Sequence, residues 1–148
     1  SNYFIITPVK KQQVLVQEIL DHWNTDLENS YNPDRTSALS FIQLKESLGQ
    51  MMEDIAKKHD TSPFVVSTGA NFKGFDGECS DPKLQELIAS EKPVVLLFGT
   101  GWGLHQDALE LADYKLAPIY GSAEDDYNHL SVRSAVAIYL DRLRNIRA

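Results

Sequence analysis

The apolar positions of this chain alternate between short β-type runs and stripes with helical spacing. Runs rich in β-branched and aromatic residues, each ended by turn residues, predict strands at residues 3–7, 38–45, 63–68, 93–98 and 116–120. Apolar residues at intervals of three and four predict helices over about 12–23, 48–59, 82–88 and 106–112, and from 130 almost to the C-terminus. Strands that alternate with helices are typical of an α/β domain built on a parallel sheet.

Local residue types refine this pattern. Ser47 followed three residues later by Gln50 is a capping-box signal, and Asp81 before Pro82 is a cap followed by proline at a helix start. The segment 25–37 is polar and rich in turn residues, so we expect a loop there. The continuous apolar run at 93–98 predicts a strand buried on both faces, in the middle of a parallel sheet.

Composition then narrows the class of protein. A chain of 148 residues predicts one domain, and its single cysteine excludes a disulfide framework or a site with several thiolate ligands. No apolar run approaches the ~20 residues of a membrane span, and the first residues lack the pattern of a secretory signal. We therefore expect a protein of the reducing cytoplasm. The net charge of −7 argues against indiscriminate nucleic-acid binding, although it leaves room for a locally basic site.

Three glycines follow the clearest predicted strand, at Gly99, Gly101 and Gly103. Glycines in this position let the backbone come close to a ligand, because no Cβ stands in the way. A dinucleotide-binding fingerprint fails here, since its sixth position is Leu104 and the following helix is too short for a crossover. A Walker phosphate loop fails because no Gly-Lys-Ser/Thr sequence is present. A ligand-binding loop and a purely structural turn both remain open.

Two motifs in the last third carry a resemblance to a known family. The first is Leu-Phe-Gly-Thr-Gly-Trp-Gly-Leu at 97–104. The second is a strand-like run ending in Gly121, followed at 127–138 by a run that opens the last helix with Asn128 and Ser131. Their combination resembles the C-terminal motifs of the trefoil-knotted SPOUT RNA methyltransferases. With Tyr-Asn-Pro at 31–33 and Arg35, most of the chain is similar to a bacterial subgroup found alone or fused to a tRNA guanine-N1 methyltransferase domain.

The resemblance implies a Rossmann-like parallel sheet flanked by helices, with a C-terminal trefoil knot, a rare exception to the rule that chains are unknotted. It also implies S-adenosyl-L-methionine as the cofactor, bent among three loops and held by backbone groups. Carried over position by position, the cofactor-binding residues are Ser67, Thr68, Gly69, Phe98, Gly99, Thr100, Gly101, Trp102, Gly103, Ile119, Tyr120, Gly121, Asn128, His129, Leu130 and Ser131. No metal site is expected, because the histidines have no partners at metal-ligand spacing.

Several of these residues have a physical interpretation of their own. Ile119 and Leu130 are suited to enclosing the adenine. Asn128 or Ser131 caps the final helix, and either side chain is also able to face the ligand. Trp102 stands inside a glycine loop, where we expect its large side chain to lie over the cofactor or against a dimer partner.

The sequence does not identify the catalytic residue, for which the candidates are Arg133, His129 and Asp126. Methyl transfer requires alignment, and removal of a proton where the acceptor carries one. His129 is suited to proton transfer near neutral pH, and Asp126 lies beside the motif. A solvated acidic loop is the alternative for Asp126. Arg133 has two alternatives. It binds a phosphate or the cofactor carboxylate, or it forms an ion pair with that acidic loop.

The function that the resemblance implies is an S-adenosylmethionine-dependent RNA methyltransferase acting on tRNA or rRNA as a homodimer. We expect residues 1–148 to form a single domain of this type, without the first strand and helix of the subgroup. A non-catalytic knotted module for dimerisation or RNA docking, still able to bind the cofactor, is the alternative. A nicotinamide-dependent oxidoreductase is a remote second one. RNA is the expected partner, and we expect no association with a membrane.

Overall fold

The computed structural model describes residues 2–25, 31–71, 78–79, 81–125 and 127–144, and the chain divides into two compact units, Ser1–Asp54 and Ile55–Ala148. We call these the N-terminal unit and the C-terminal unit. Twelve helices and strands are described: β1 Tyr3–Ile6, α1 Lys10–Trp23, α2 Pro33–Leu39, β2 Ile42–Lys45, α3 Leu48–His59, β3 Phe64–Ser67, β4 Glu78–Cys79, α4 Asp81–Ala89, β5 Val94–Leu97, α5 Gln106–Glu110, β6 Tyr114–Leu116 and α6 Val132–Arg144. Helix α3 includes the boundary between the two units.

The N-terminal unit is built on the parallel pair β1–β2, with Tyr3 opposite Ile42 and Ile6 opposite Lys45. Helix α1 is joined to α2 through Trp23. The Thr36 hydroxyl donates to the Trp23 carbonyl at 2.9 Å. The Arg35 guanidinium lies 4.5 Å from the centre of the Trp23 ring, within the range of a cation–π contact.

The predicted loop at 25–37 and the predicted strand at 38–45 are both wrong in part, because Pro33–Leu39 is a helix and the strand is confined to Ile42–Lys45. The helix starts at Asn32, whose side chain accepts a hydrogen bond from the Arg35 backbone N–H at 3.0 Å. Pro33 then occupies the first turn, where its missing N–H has no intrahelical partner to lose. This cap and proline outweigh the polar composition of the segment.

Helix α3 begins as the capping box predicts. The Gln50 backbone N–H donates to the Ser47 hydroxyl at 3.1 Å, and the Gln50 side chain accepts from the Glu46 N–H at 3.0 Å. Two backbone donors that the first turn would leave unpaired are thereby satisfied.

The C-terminal unit contains a four-stranded parallel sheet in the order β4-β6-β3-β5. Its central strand β3 carries Val65 and Val66, which are 1% and 0% exposed. Helices α4 and α6 contact each other. The buried core cluster consists of Val66, Leu84, Leu87, Leu116, Tyr139 and Leu143. An α/β fold with parallel sheets flanked by helices is therefore confirmed, and among the described helices none is long and apolar enough to cross a membrane.

Two expectations for the sheet are corrected. β5 is the last strand of the described sheet rather than a central one, and its residues Val94, Val95 and Leu96 are only half-buried. The strand predicted at 116–120 is Tyr114–Leu116 instead. Pro118 has no N–H to donate to a neighbouring strand, so pairing stops before it.

Candidate functional site

A cavity of about 270 Å³ lies in the C-terminal unit where strands β3 and β5 end. Ligands of parallel α/β sheets commonly bind at the carboxyl ends of the strands, so its position alone marks it as a candidate site. The residues around it are Thr68, Gly69, Ala70, Asn71, Phe98, Gly99, Thr100, Gly101, Trp102, Gly103, Leu104, Leu109, Ile119, Asn128, His129, Leu130, Val132, Ala135 and Tyr139.

The glycine loop after β5 folds back on itself. Thr100 and Gly103 form an isolated antiparallel bridge, in which the Gly103 N–H donates to the Thr100 carbonyl at 2.8 Å. Gly103 has φ +83°, a conformation that residues with a Cβ rarely adopt. A Cβ on Gly99 would lie 2.3 Å from the Gly103 carbonyl carbon, whereas one on Gly101 would meet nothing within 4 Å. The fold of the loop therefore requires glycine at positions 99 and 103, whereas position 101 has room for a side chain.

The loop after β3 is fixed to the end of β5. The Thr68 hydroxyl and backbone N–H both donate to the Leu97 carbonyl, at 2.8 and 3.1 Å. Ser67 is fully buried, and its hydroxyl donates to the Tyr114 carbonyl at 3.4 Å. Thr68 thus lines the cavity while Ser67 lies beside it within the sheet.

The segment before α6 forms a further wall. The Asn128 side-chain N–H donates to the Ala70 carbonyl at 2.8 Å and so joins this segment to the loop after β3. Ser131 acts as the cap of α6, since its hydroxyl accepts from the Ser134 N–H at 3.2 Å. Ser131 does not line the cavity, and neither do Tyr120 and Gly121.

The buried side of the cavity is aromatic. Tyr139 of α6 is 3% exposed, and its ring lies 6.2 Å from that of Phe98 at an interplanar angle of 53°. Its hydroxyl donates to the Ala117 carbonyl at 2.8 Å, which ties α6 to the segment after β6. The remaining neighbours, Leu109 and Ala135, extend this apolar surface.

The structure brings together most of the predicted cofactor residues in one cavity, with the exceptions Ser67, Tyr120, Gly121 and Ser131. Sequence reasoning missed Ala70, Asn71, Leu104, Leu109, Val132, Ala135 and Tyr139. The stripe of α6 that includes Tyr139 has the spacing of a core face, which does not distinguish packing against the sheet from lining a cavity. Ala70 and Asn71, in contrast, continue a loop already predicted to bind.

The catalytic candidates differ in position. His129 lines the cavity and is exposed, with its ring centre 5.7 Å from that of Tyr127. Arg133 lies exposed in the first turn of α6, outside the cavity lining, and makes no ion pair with any residue that the structure describes. Asp126 lies outside the described residues.

The described lining carries no Asp, Glu, Lys or Arg. It combines backbone amides and carbonyls with the polar side-chain atoms of Thr68, Asn71, Thr100, Trp102, Asn128, His129 and Tyr139. Within the described ranges, no group of three or more His, Cys, Asp or Glu residues is arranged to hold a metal ion. Such a cavity suits a ligand that offers a flat uncharged ring to apolar side chains and hydrogen-bonding atoms to the backbone.

The chain is similar to two curated proteins with the same name. A tRNA (guanine-N(1)-)-methyltransferase of Nitratidesulfovibrio vulgaris is 38% identical over 143 residues, which are 97% of this chain and 32% of that protein. One of the same name from Oleidesulfovibrio alaskensis is 40% identical over 143 residues, with the same coverage. The chain therefore spans about a third of the length of these curated relatives.

A solved structure shares the fold. The structure of a probable methylase family protein from Haemophilus influenzae Rd KW20 aligns with a TM-score of 0.57 and 17% identity, covering 81% of this chain and 48% of that one. A family model described as SAM-dependent RNA methyltransferase matches residues 1–145. The chain belongs to this family of S-adenosylmethionine-dependent RNA methyltransferases.

Proposed function

We propose that the chain binds S-adenosylmethionine in the cavity at the ends of β3 and β5 and transfers a methyl group to RNA. The observation that carries this proposal is the convergence of the predicted cofactor loops, after β3, after β5 and before α6, on one cavity. The match to the family model over residues 1–145 is independent of the cavity and gives S-adenosylmethionine as the cofactor. We place this cofactor in the cavity because the predicted cofactor loops meet there.

The residues around the cavity fit this cofactor. No atom lies within 4 Å of the position that a Cβ on Gly101 would occupy, so an adenine has room to approach the backbone of the glycine loop. Ile119 and the more exposed Leu130 line the same cavity and are the proposed apolar contacts of the ring. When bound, the cofactor supplies a methyl group on a positively charged sulfur.

The chain's own residues then have to orient the acceptor and remove its proton. His129 is the proposed base, because it is the one imidazole in the described lining and is open to solvent. Arg133, one turn into α6 and exposed, is proposed to hold an RNA phosphate or the cofactor carboxylate. Asp126 stays the alternative base. Most of the rate acceleration would come from alignment rather than from the proton transfer.

tRNA is the substrate that we propose first, because the named relatives methylate tRNA by their names. rRNA is the alternative. We propose also that residues 1–148 work as one methyltransferase domain in the cytoplasm, that the segment after β6 is threaded as a trefoil knot, and that two copies form a dimer. Sedimentation tests the dimer, since a single species near the 16.6 kDa monomer mass at high concentration would contradict it.

A non-catalytic module is the second candidate function. The observation that favours it is the lack of any Asp, Glu, Lys or Arg among the described lining residues, which leaves His129 as the only imidazole or carboxylate there. Such a protein would bind the cofactor and dock RNA without transferring a methyl group.

Incorporation of tritiated methyl groups from S-adenosylmethionine into transcribed tRNA and rRNA separates the two candidates. Wild type is expected to label RNA, and His129→Gln to lower kcat while S-adenosylhomocysteine affinity stays the same. His59→Gln makes the same change at an exposed histidine at the end of α3, outside the cavity lining, and this matched control should label RNA as wild type does. Cofactor binding without any labelling would favour the non-catalytic module.

A further inference from the structure

The indole of Trp102 is 99% exposed at the edge of the cavity. A tryptophan offers a large flat apolar surface that stacks favourably on other planar rings. An exposed aromatic side chain beside a candidate active site is therefore a candidate contact for a ligand.

The loop that carries Trp102 is braced at its base. The Thr100–Gly103 bridge closes it, and Gly99 lies directly against the backbone of Gly103 and Leu104. Only Gly101 and Trp102 stand between the bridged residues. The indole is thus presented by a short, closed loop, so little further ordering is needed when a ligand contacts it.

A second aromatic group borders the same cavity. His129 lines it together with Trp102, and the rings of Tyr127 and His129 are 5.7 Å apart at an angle of 47°. Tyr127 is 67% exposed. Aromatic surfaces on two separate loops, after β5 and before α6, therefore stand at one opening, which we call the aromatic mouth: Trp102, Tyr127 and His129.

We propose that the aromatic mouth stacks an unpaired nucleobase of the RNA, an inference that rests on the proposed function. Every base has an apolar face that stacks on aromatic rings, and a base within a duplex cannot present that face. Glu124 and Asp125 precede the mouth and are exposed, so they would repel phosphates at this edge. Stacking supplies the attraction that charge does not, and it selects single-stranded or extruded nucleotides as acceptors.

Tryptophan fluorescence tests the proposal directly. The chain has two tryptophans, so Trp23→Phe leaves Trp102 as the only one. A short single-stranded RNA of mixed sequence should quench its emission, and a fully paired, blunt-ended duplex of the same composition should not. Trp102→Ala should weaken binding of the single strand by about 5- to 150-fold, and Trp102→Phe by less. S-adenosylhomocysteine affinity, measured by calorimetry, should fall by much less than RNA affinity in both variants.

Three results would overturn the stacking proposal. The first is equal quenching by the paired duplex. The second is weaker S-adenosylhomocysteine binding by Trp102→Ala with RNA affinity unchanged, which would move Trp102 to the cofactor. The third is a blue-shifted emission that depends on protein concentration without RNA, with loss of the dimer in Trp102→Ala, which would make a second copy the occupant. Absence of S-adenosylhomocysteine binding in wild type would instead refute the proposed function.

Discussion

Replacing Gly99 with alanine is expected to disrupt the glycine loop. The added Cβ would lie 2.3 Å from the Gly103 carbonyl carbon, 2.5 Å from its oxygen and 2.7 Å from the Leu104 nitrogen. All three are backbone atoms, so no side chain can rotate away. Over-packing of this kind destabilises proteins by about 1–3 kcal/mol, and if the loop opens instead, the Gly103–Thr100 hydrogen bond is lost, at about 1 kcal/mol.

Thermal unfolding and calorimetry measure the consequence. For a chain of this size, a loss of 1 kcal/mol lowers Tm by about 2–4 °C, so Gly99→Ala should lower it by roughly 2–12 °C and weaken S-adenosylhomocysteine binding. Gly101→Ala is the matched control, two residues away on the same loop. Its Cβ would meet nothing within 4 Å, and Gly103 is the only glycine with positive φ among the described residues. The free energy of unfolding of Gly101→Ala should therefore stay within about 0.5 kcal/mol of wild type. Equal stability of the two variants would contradict the predicted clash at Gly99.

Three further substitutions test individual contacts of the site. Asn128→Ala removes the bond to Ala70 and should lower the free energy of unfolding by about 1 kcal/mol and weaken S-adenosylhomocysteine binding; unchanged calorimetric affinity would show that this bond does not shape the cavity. Tyr139→Phe leaves the Ala117 carbonyl without that donor and should destabilise the protein by about 1 kcal/mol in urea titration, and full stability would contradict this role. Ser131→Ala removes a helix cap and should also lower the free energy of unfolding by about 1 kcal/mol, with S-adenosylhomocysteine affinity unchanged. A change in that affinity would show that Ser131 contacts the ligand.

Much of the fold is predictable because helix starts and apolar spacing are local signals. The capping box at Ser47 predicts the start of α3 correctly. Asn32 and Pro33 are an equally clear start signal for α2, but the polar composition of 25–37 favours a loop when it is considered alone. Strand order depends on contacts between residues far apart in sequence, which is why the apolar run 93–98 does not reveal that β5 is the last strand of its described sheet.

The candidate site is likewise only partly predictable from the sequence. Its glycine loop is recognisable in the sequence, because close backbone approach requires Gly99 and Gly103. The contribution of Tyr139 is not, since a residue on a buried helical stripe has the same pattern whether it packs on a strand or borders a cavity. Ser131 shows the reverse limit: its motif predicts both a helix cap and a ligand contact, and the structure shows the cap, with Ser131 outside the cavity lining.

Calorimetric titration of the wild-type chain with S-adenosylhomocysteine tests the central claim most directly. We expect saturable binding at one site per chain, weakened by Gly99→Ala at the braced loop and unaffected by Ser131→Ala at the cap. No binding up to millimolar ligand would contradict the assignment of this cavity to the cofactor.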